Sequence, residues 1–363
     1  MVNFKPTDEQ ELVRQTMASF AREVLRPAAR EADEKNEVPD TVVQRGWELG
    51  LVQSGVPEAF GGYGDARSAV TGALLLEELA YGDLALALHL LAPRLLTIPL
   101  VAVGTEEQQK TWLPRFAGDQ FTAGTAAFVE PRWDFDPTRL TTRAEKQGGD
   151  WVLAGEKCLV PLAADAEAVL VYATAPDGLG AFIVERGARG LTVGEREKNM
   201  GIKALASHPL RLEGVRVPAA ARLGGDGKDL TALVDASRIA LGALAVGVAR
   251  SAFEYARDYA KDRRAFGVAI GQKQAIAFKL ANMAIEIDAM RLLTWEAAWK
   301  LDSGQPATRE AALLKQYVTQ SALTVTDDAV QVLGGHGYIR EHPVELWLRN
   351  ARGFAAFDGL AVV

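Results

Sequence analysis

Apolar residues recur at helical spacing towards both ends of the chain and in short, nearly continuous runs in its middle. In residues 7–36, Leu12, Val13, Met17, Phe20, Val24 and Leu25 fall on one stripe. That predicts an amphipathic helix, with Thr7 as its cap and Glu9 and Gln10 behind it. Pro39 and Asp40 open a second helix through Val42, Trp47 and Leu51. Glycines and a proline make residues 55–64 a loop. Further helices are predicted at 66–80, 83–100 and 105–118, the last capped by Thr105 with Glu106 and Glu107 against the helix dipole. After Asp119 the period changes. Runs rich in Val, Leu and Thr at 151–153, 168–172, 181–184 and 210–212 read as strands, with Asp177 and Gly178 at a hairpin turn. From Leu230 the helical period returns over 232–262, 271–303 and 307–332, broken by Gly304, Gln305 and Pro306. Helices of that length predict a bundle and a subunit interface. The expected architecture is α+β and multidomain: an N-terminal helical domain (1–119), a central β-barrel-like domain (120–227) and a C-terminal four-helix-bundle domain (228–363).

Composition narrows the function classes. The chain has 363 residues, enough for a large core, and 48% of them are apolar. A net charge of −7 argues against nucleic-acid binding, which needs a basic face. The one cysteine, Cys158, excludes an intrachain disulfide and fits a reduced, cytoplasmic setting. The N-terminal residues are polar and show no signal-peptide pattern, and the longest apolar run, 84–93, is too short to span a bilayer. No membrane association is expected. The four histidines have no metal-ligand spacing, and no metal is expected.

Two stretches carry candidate chemistry. Residues 331–358 read QVLGGHGYIREHPVELWLRNARGFAAFD, with Gly334, Gly335 and Gly337 close together and Asp358 directly before Gly359. Clustered glycines let a backbone press against a ligand. Residues 263–274 read RRAFGVAIGQKQ. A guanidinium there can meet phosphate oxygens in two places, and a planar Phe can cover an apolar part of a cofactor. The patterns QxxGGxGYxxExPVExxxR and RxxFGxxIxxxQ, together with VPEAFGGYG and GTEEQQKTWLPRFAGD nearer the N-terminus, resemble the acyl-CoA dehydrogenase family of flavoproteins. The order of helical, β and helical regions matches as well.

The resemblance implies FAD as cofactor and α,β-dehydrogenation of an acyl thioester, carried on coenzyme A or an acyl carrier. It implies a place in lipid metabolism and a tetramer, with an electron-transfer flavoprotein as possible partner. Arg263, Phe266, Gln274, Gln331, Gly334 and Gly335 match the positions that hold the adenosine half of FAD, partly across a subunit boundary. The ring half departs from the family. Val129 stands where a hydroxyl is expected and Phe135 where a serine near the acyl-CoA is expected. Leu159 replaces the aromatic over the ring, and Pro161, which has no amide hydrogen, replaces a residue bonding near flavin N5.

The family's usual base is a Glu before Gly near the C-terminus, which here is Asp358, shorter by roughly 1.5 Å. Members that carry the base on the first long C-terminal helix would have it where Ser237 stands, beside Arg238. Phe135 and Arg238 are therefore the expected substrate neighbours. The family normally continues past this glycine into a closing helix, whereas this sequence stops five residues after Asp358, at Val363. Two readings follow. The first is an FAD-dependent acyl-CoA dehydrogenase, a homotetramer with Asp358 as base. The second is a non-catalytic subunit that completes a paralogous partner's FAD site in a heterotetramer. A member with different flavin chemistry, such as a hydroxylase, is a third.

Overall fold

A computed structural model describes residues 5–64 and 67–363. Helix α1 (Asp8–Phe20) begins at Thr7 with a full capping box: Thr7 Oγ1 accepts from Gln10 N, and Gln10 Oε1 accepts from Thr7 N. It runs through a π-helical turn into α2 (Arg26–Lys35), which stops at Asn36 with φ of 56°. Next come α3 (Asp40–Glu48) and α4 (Ala69–Gly82). The predicted start of the latter at residue 66, like residues 1–4, lies outside the described residues. The single helix predicted over 83–100 is in fact two, α5 (Leu84–Leu91) and α6 (Arg94–Val103), bent by 50°. Pro93 causes the break: it has no N–H and disfavours helical geometry at Ala92 before it. Likewise α7 (Glu106–Trp112) is shorter than predicted, because Pro114 turns its end into a 3₁₀ segment.

The middle of the chain is one curled sheet. Its strands are β1 (Thr125–Ala127), β2 (Arg143–Gln147), β3 (Asp150–Pro161), β4 (Ala168–Ala175), β5 (Gly178–Glu185), β6 (Leu191–Val193) and β7 (Ser207–Val217). Hydrogen bonding runs β1-β4-β2-β3-β7-β6, with β5 on β4. The hairpin expected at Asp177–Gly178 joins β4 to β5, pairing Ala175 with Gly178. Strand β3 is far longer than the predicted 151–153 because it absorbs two irregularities, next to Leu153 and between Lys157 and Val160. The predicted 210–212 grows to β7 for the same reason: it pairs along that whole strand.

The last region holds α8 (Thr231–Asp262), a short hairpin of β8 (Arg264–Ala265) and β9 (Val268–Ala269), α9 (Gln274–Asp302), α10 (Thr308–Leu333), the single turn α11 (Gly335–Tyr338) and α12 (Val344–Arg352). By length and composition α8 could cross a bilayer, but 83% of that window is buried inside the fold, as in a core helix. It packs on α10, α9 and α12, and on α4 from the N-terminal region. One hydrophobic core therefore joins the first and last thirds of the chain, while Trp151, Leu153, Val171 and Phe182 belong to a second core inside the sheet. On α9, Phe278, Ile285 and Leu292 are spaced seven apart and stay exposed.

Candidate active site

Two groups of residues emerge, one at the end of the helical bundle and one inside the fold. At the bundle end, α8 stops at Arg263 and the chain reverses through the β8–β9 hairpin. Phe266 and Gly267 occupy the turn with φ of 53° and 80°. A left-handed phenylalanine is strained, and such strain is retained at functional sites. The turn pushes Phe266 out until it is 95% exposed. Ile270 N donates to Arg263 O, which places Gln274, the first residue of α9, beside the same turn. The Arg263 guanidinium is exposed and makes no side-chain hydrogen bond or ion pair among the described residues.

The glycine cluster is carried to the same end. Gln331 is exposed on the last turn of α10, and Gly334 ends that helix at φ 59°. A Cβ on Gly334 or Gly335 would meet nothing within 4 Å, so this backbone faces open space. Gly337 is different: a Cβ there would lie 2.4 Å from Val330 O, and only glycine fits. Two tyrosines of α8 pin the loop. Tyr259 OH is hydrogen-bonded to His336 Nδ1 at 2.8 Å and Tyr255 OH to His342 Nδ1 at 2.7 Å, and the two imidazoles stack with centroids 5.3 Å apart. The expected adenosine set of Arg263, Phe266, Gln274, Gln331, Gly334 and Gly335 is thus gathered on one surface.

The inner group is built around a buried ion pair. Lys157 of β3 and Glu130, just past β1, are almost wholly buried, with Nζ 3.2 Å from Oε1. Nζ also donates to Phe128 O, while Glu130 accepts from Thr141 N, Thr141 Oγ1 and Thr142 N at 2.7 Å each. Burial opposes both charges. It pulls the Lys157 ammonium below its ordinary pKa, whereas the lysine and the threonine amides overcome it at Glu130 and hold that carboxyl well below the usual range. The pair fixes the chain leaving β1. Phe128 consequently points inward, edge-on to Tyr172 at 4.8 Å and to Phe135 at 5.8 Å.

Phe128 and Tyr172 form one wall of an apolar slot, Leu95 and Pro99 of α6 a second, and Leu233 and Ser237 of α8 a third. Gly359, Ala361 and Val362 close it, leaving a cavity of about 20 Å³. Gly359 N donates to Ser237 Oγ at 3.2 Å, and any Cβ on Gly359 would collide with Phe128. Asp358 is therefore anchored at the slot's edge. Its side chain lies 3.4 Å from Lys315 Nζ of α10, which also donates to Phe354 O. Burial lowers the Lys315 pKa, and Asp358 pulls against that. Arg238 does not reach the slot lining; its Nε is buried without a partner among the described residues. Phe135 does not line the slot but meets Phe128 edge-on behind it.

The residues expected beside the ring offer little to a flavin. Val129 is buried and its carbonyl accepts from Cys158 N. Leu159 takes φ of 54°, and its amide donates to both Glu197 oxygens at 3.1 Å. Pro161 is the end of β3. Lys315, Glu197, Tyr172 and the residues after Gly359 escaped sequence reasoning. They meet the site only through long-range packing, and no local pattern marks them.

A helical, sheet and helical arrangement around a slot that ends in a carboxylate–glycine pair defines the class of acyl-CoA dehydrogenase folds. The chain matches that family's profiles over residues 7–120 (N-terminal domain), 125–215 (middle domain) and 227–361 (C-terminal domain), and it belongs to the acyl-CoA dehydrogenase family. It is 37% identical to the probable acyl-CoA dehydrogenase YngJ of Bacillus subtilis over 100% of this chain and 97% of that protein. It is 34% identical to the mitochondrial short-chain specific acyl-CoA dehydrogenase of Bos taurus over 98% and 88%. Among solved structures, butyryl-CoA dehydrogenase from Megasphaera elsdenii superposes with a TM-score of 0.87 at 32% identity, covering 98% of this chain and 96% of that one.

The family's cofactor is FAD. The bundle end fits its nucleotide half: an exposed guanidinium, an exposed aromatic and open glycine backbone are the groups a pyrophosphate and an adenosine need. The inner end fits the rings only as an apolar surface, with the Leu159 amide already engaged.

Proposed function

We propose that this chain catalyses FAD-dependent α,β-dehydrogenation of a short acyl thioester, with Asp358 as base. One observation carries the reading: Asp358 and Gly359 are docked between α8 and the end of β1, at the edge of an apolar slot. Bound FAD would supply the hydride acceptor. The chain's own residues would do the rest. The slot walls keep water from the acyl group. Ser237, by accepting from Gly359 N, fixes the backbone beside the base. Asp358 Oδ2 lies 3.4 Å from Lys315 Nζ, so Oδ1 is the oxygen left to take the α proton, with Lys315 as the nearby positive charge. The walls set by Phe128 and Tyr172 favour a short acyl group, in keeping with short-chain and butyryl-CoA dehydrogenases among the relatives. Arg263, Phe266, Gln331 and Gly335 would hold the nucleotide half of a neighbouring subunit's FAD in a homotetramer, for which the exposed stripe on α9 offers a contact face.

Adding butyryl-CoA anaerobically to the purified protein tests this. The expected result is a yellow protein that bleaches, and an Asp358→Asn variant that keeps its colour but bleaches about 10²–10⁴-fold more slowly. A flavin-loaded protein that butyryl-CoA leaves unbleached would sink it. The second reading, a subunit that only completes a paralogue's site, is favoured by the Glu197 carboxylate on the Leu159 amide. It calls for a colourless protein that becomes yellow only beside that paralogue.

A further inference from the structure

The geometry points to Lys315 as a positioning residue for the reaction. It fixes both the turn that delivers Asp358 and the direction in which the carboxylate faces, so that proton abstraction depends on it and acyl-thioester binding does not. The inference rests on the reading of Asp358 as the base. The turn is packed on either side of the aspartate. Phe354 and Phe357 are buried and meet edge-on at 5.6 Å, and a Cβ on Gly353 would fall 1.9 Å from Phe357 Cζ, so only glycine lets that ring fold back. On the other side Gly359 is held by Phe128 and by Ser237. The backbone is thereby set. An aspartate on it still has its side-chain torsions, and the same backbone can aim the carboxylate oxygens at the slot or away from it.

Lys315 removes that freedom. Its Nζ donates to Phe354 O at 2.7 Å, in the turn that leads to the aspartate, and lies 3.4 Å from Asp358 Oδ2, the only ion pair that carboxylate makes among the described residues. One ammonium therefore holds the turn and the carboxylate together and leaves Oδ1 over. The lysine is itself firmly carried. Its side chain is only 14% exposed, and its neighbour Leu314 is locked against α8, where a Cβ on Gly242 would stand 2.8 Å from Leu314 Cδ2. The pair has two opposite effects. A cation beside a carboxylate weakens it as a base, because the charge it favours is lost when the proton arrives. A fixed direction speeds the transfer, because a misplacement of about 1 Å costs on the order of a hundredfold in rate. The Phe354 contact favours the second effect: a lysine serving only as a charge needs no further anchor on the turn. Burial works against the ammonium, and so does Arg238, yet the side chain is kept where it bridges α10 and the turn.

The test separates proton transfer from hydride transfer. Acetyl-CoA has α hydrogens but no β carbon, so it cannot be dehydrogenated. In D2O the FAD-loaded protein should label it with deuterium. Asp358 takes an α proton, the electron pair moves onto the thioester oxygen, and the carboxyl, once exchanged with solvent, returns a deuteron to carbon. Lys315→Met should slow this labelling about a hundredfold, read by mass spectrometry. The affinity for crotonyl-CoA, from titration calorimetry, should stay within about twofold. Lys315→Arg keeps a cation and a donor and should recover about tenfold of the lost rate. Should the methionine variant fail to fold, Lys315→Gln, which offers Phe354 O a donor without the charge, carries the same expectation. Labelling that is unchanged or faster without the lysine would overturn the positioning role. Equal losses of labelling and affinity would overturn it too, since they mark a general loosening of the slot. If Asp358→Asn labels acetyl-CoA as fast as the unaltered protein does, or neither labels it, the reading of Asp358 as base falls, and the role of Lys315 with it.

Discussion

The two halves of the candidate site are built on opposite principles. The bundle end displays its chemistry: Phe266 is 95% exposed, the Arg263 guanidinium has no side-chain partner among the described residues, and Gly334 and Gly335 face open space. The inner end has spent its chemistry on itself: Lys157 on Glu130, Lys315 on Asp358, and Glu197 on the Leu159 amide. Groups of the first kind are free to serve a ligand at no structural cost. Groups of the second kind serve one only by giving up a contact, and altering them disturbs the fold as well as the function.

That contrast can be broken by mutation. Lys157→Met leaves the buried Glu130 carboxylate with Arg132, 3.9 Å away, as its remaining cation, and loss of the closer member of such a pair costs about 3–5 kcal/mol. A large fall in melting temperature is expected even without FAD, and an unchanged melt would remove the inner end from the list of stabilised regions. Arg263→Ala should act in the opposite way. FAD retention should fall about ten- to a hundredfold, as for loss of a hydrogen bond to a charged group, with the melting curve of the cofactor-free protein unmoved. A drop in that curve would show that the bundle end is structural after all.

The smallest effect concerns pH. His89 stacks on Phe121 where the chain enters the sheet, and burial lowers its pKa to about 4, with Nδ1 unpartnered among the described residues. An unfolded histidine titrates near 6.5, so the stability given by the neutral ring is complete above about pH 6.5 and is lost as pH falls through 4. His89→Phe should leave stability at pH 7 nearly unchanged and recover roughly 1–2 kcal/mol at pH 5, read from denaturant melts at both pH values. Equal melts of the two proteins at pH 5 would contradict the buried neutral state.

Legibility in the sequence followed the same divide. The helix starts at Thr7 and Thr105 could be read because a capping box is local: its partners lie three residues apart. The hairpin set Arg263, Phe266 and Gln274 was legible for the same reason, being one turn and its flanks. The break at Pro93 was readable in principle, but the apolar run across it hid the stop. Strand β2 escaped because four of its five residues are exposed and polar, so no run marks it. The slot was illegible for a deeper reason. Leu95, Phe128, Tyr172, Ser237 and Ala361 come from five separate stretches, and nothing near any of them in the chain announces the others. Lys315 and Glu197 are ordinary charged residues until the fold sets them against Asp358 and Leu159.

The shared core of α4 and α8 has a consequence for how the protein is made. Helix α4 is apolar around nearly its whole circumference, and the helix that covers it is synthesised some 150 residues later. During translation α4 waits with greasy surface bare while the whole sheet region is produced and can fold on its own separate core. Contacts closed over such a span form slowly. The nascent chain is therefore at its most sticky after the sheet has emerged and before α8 has left the ribosome, and that interval is where a chaperone would have most to do.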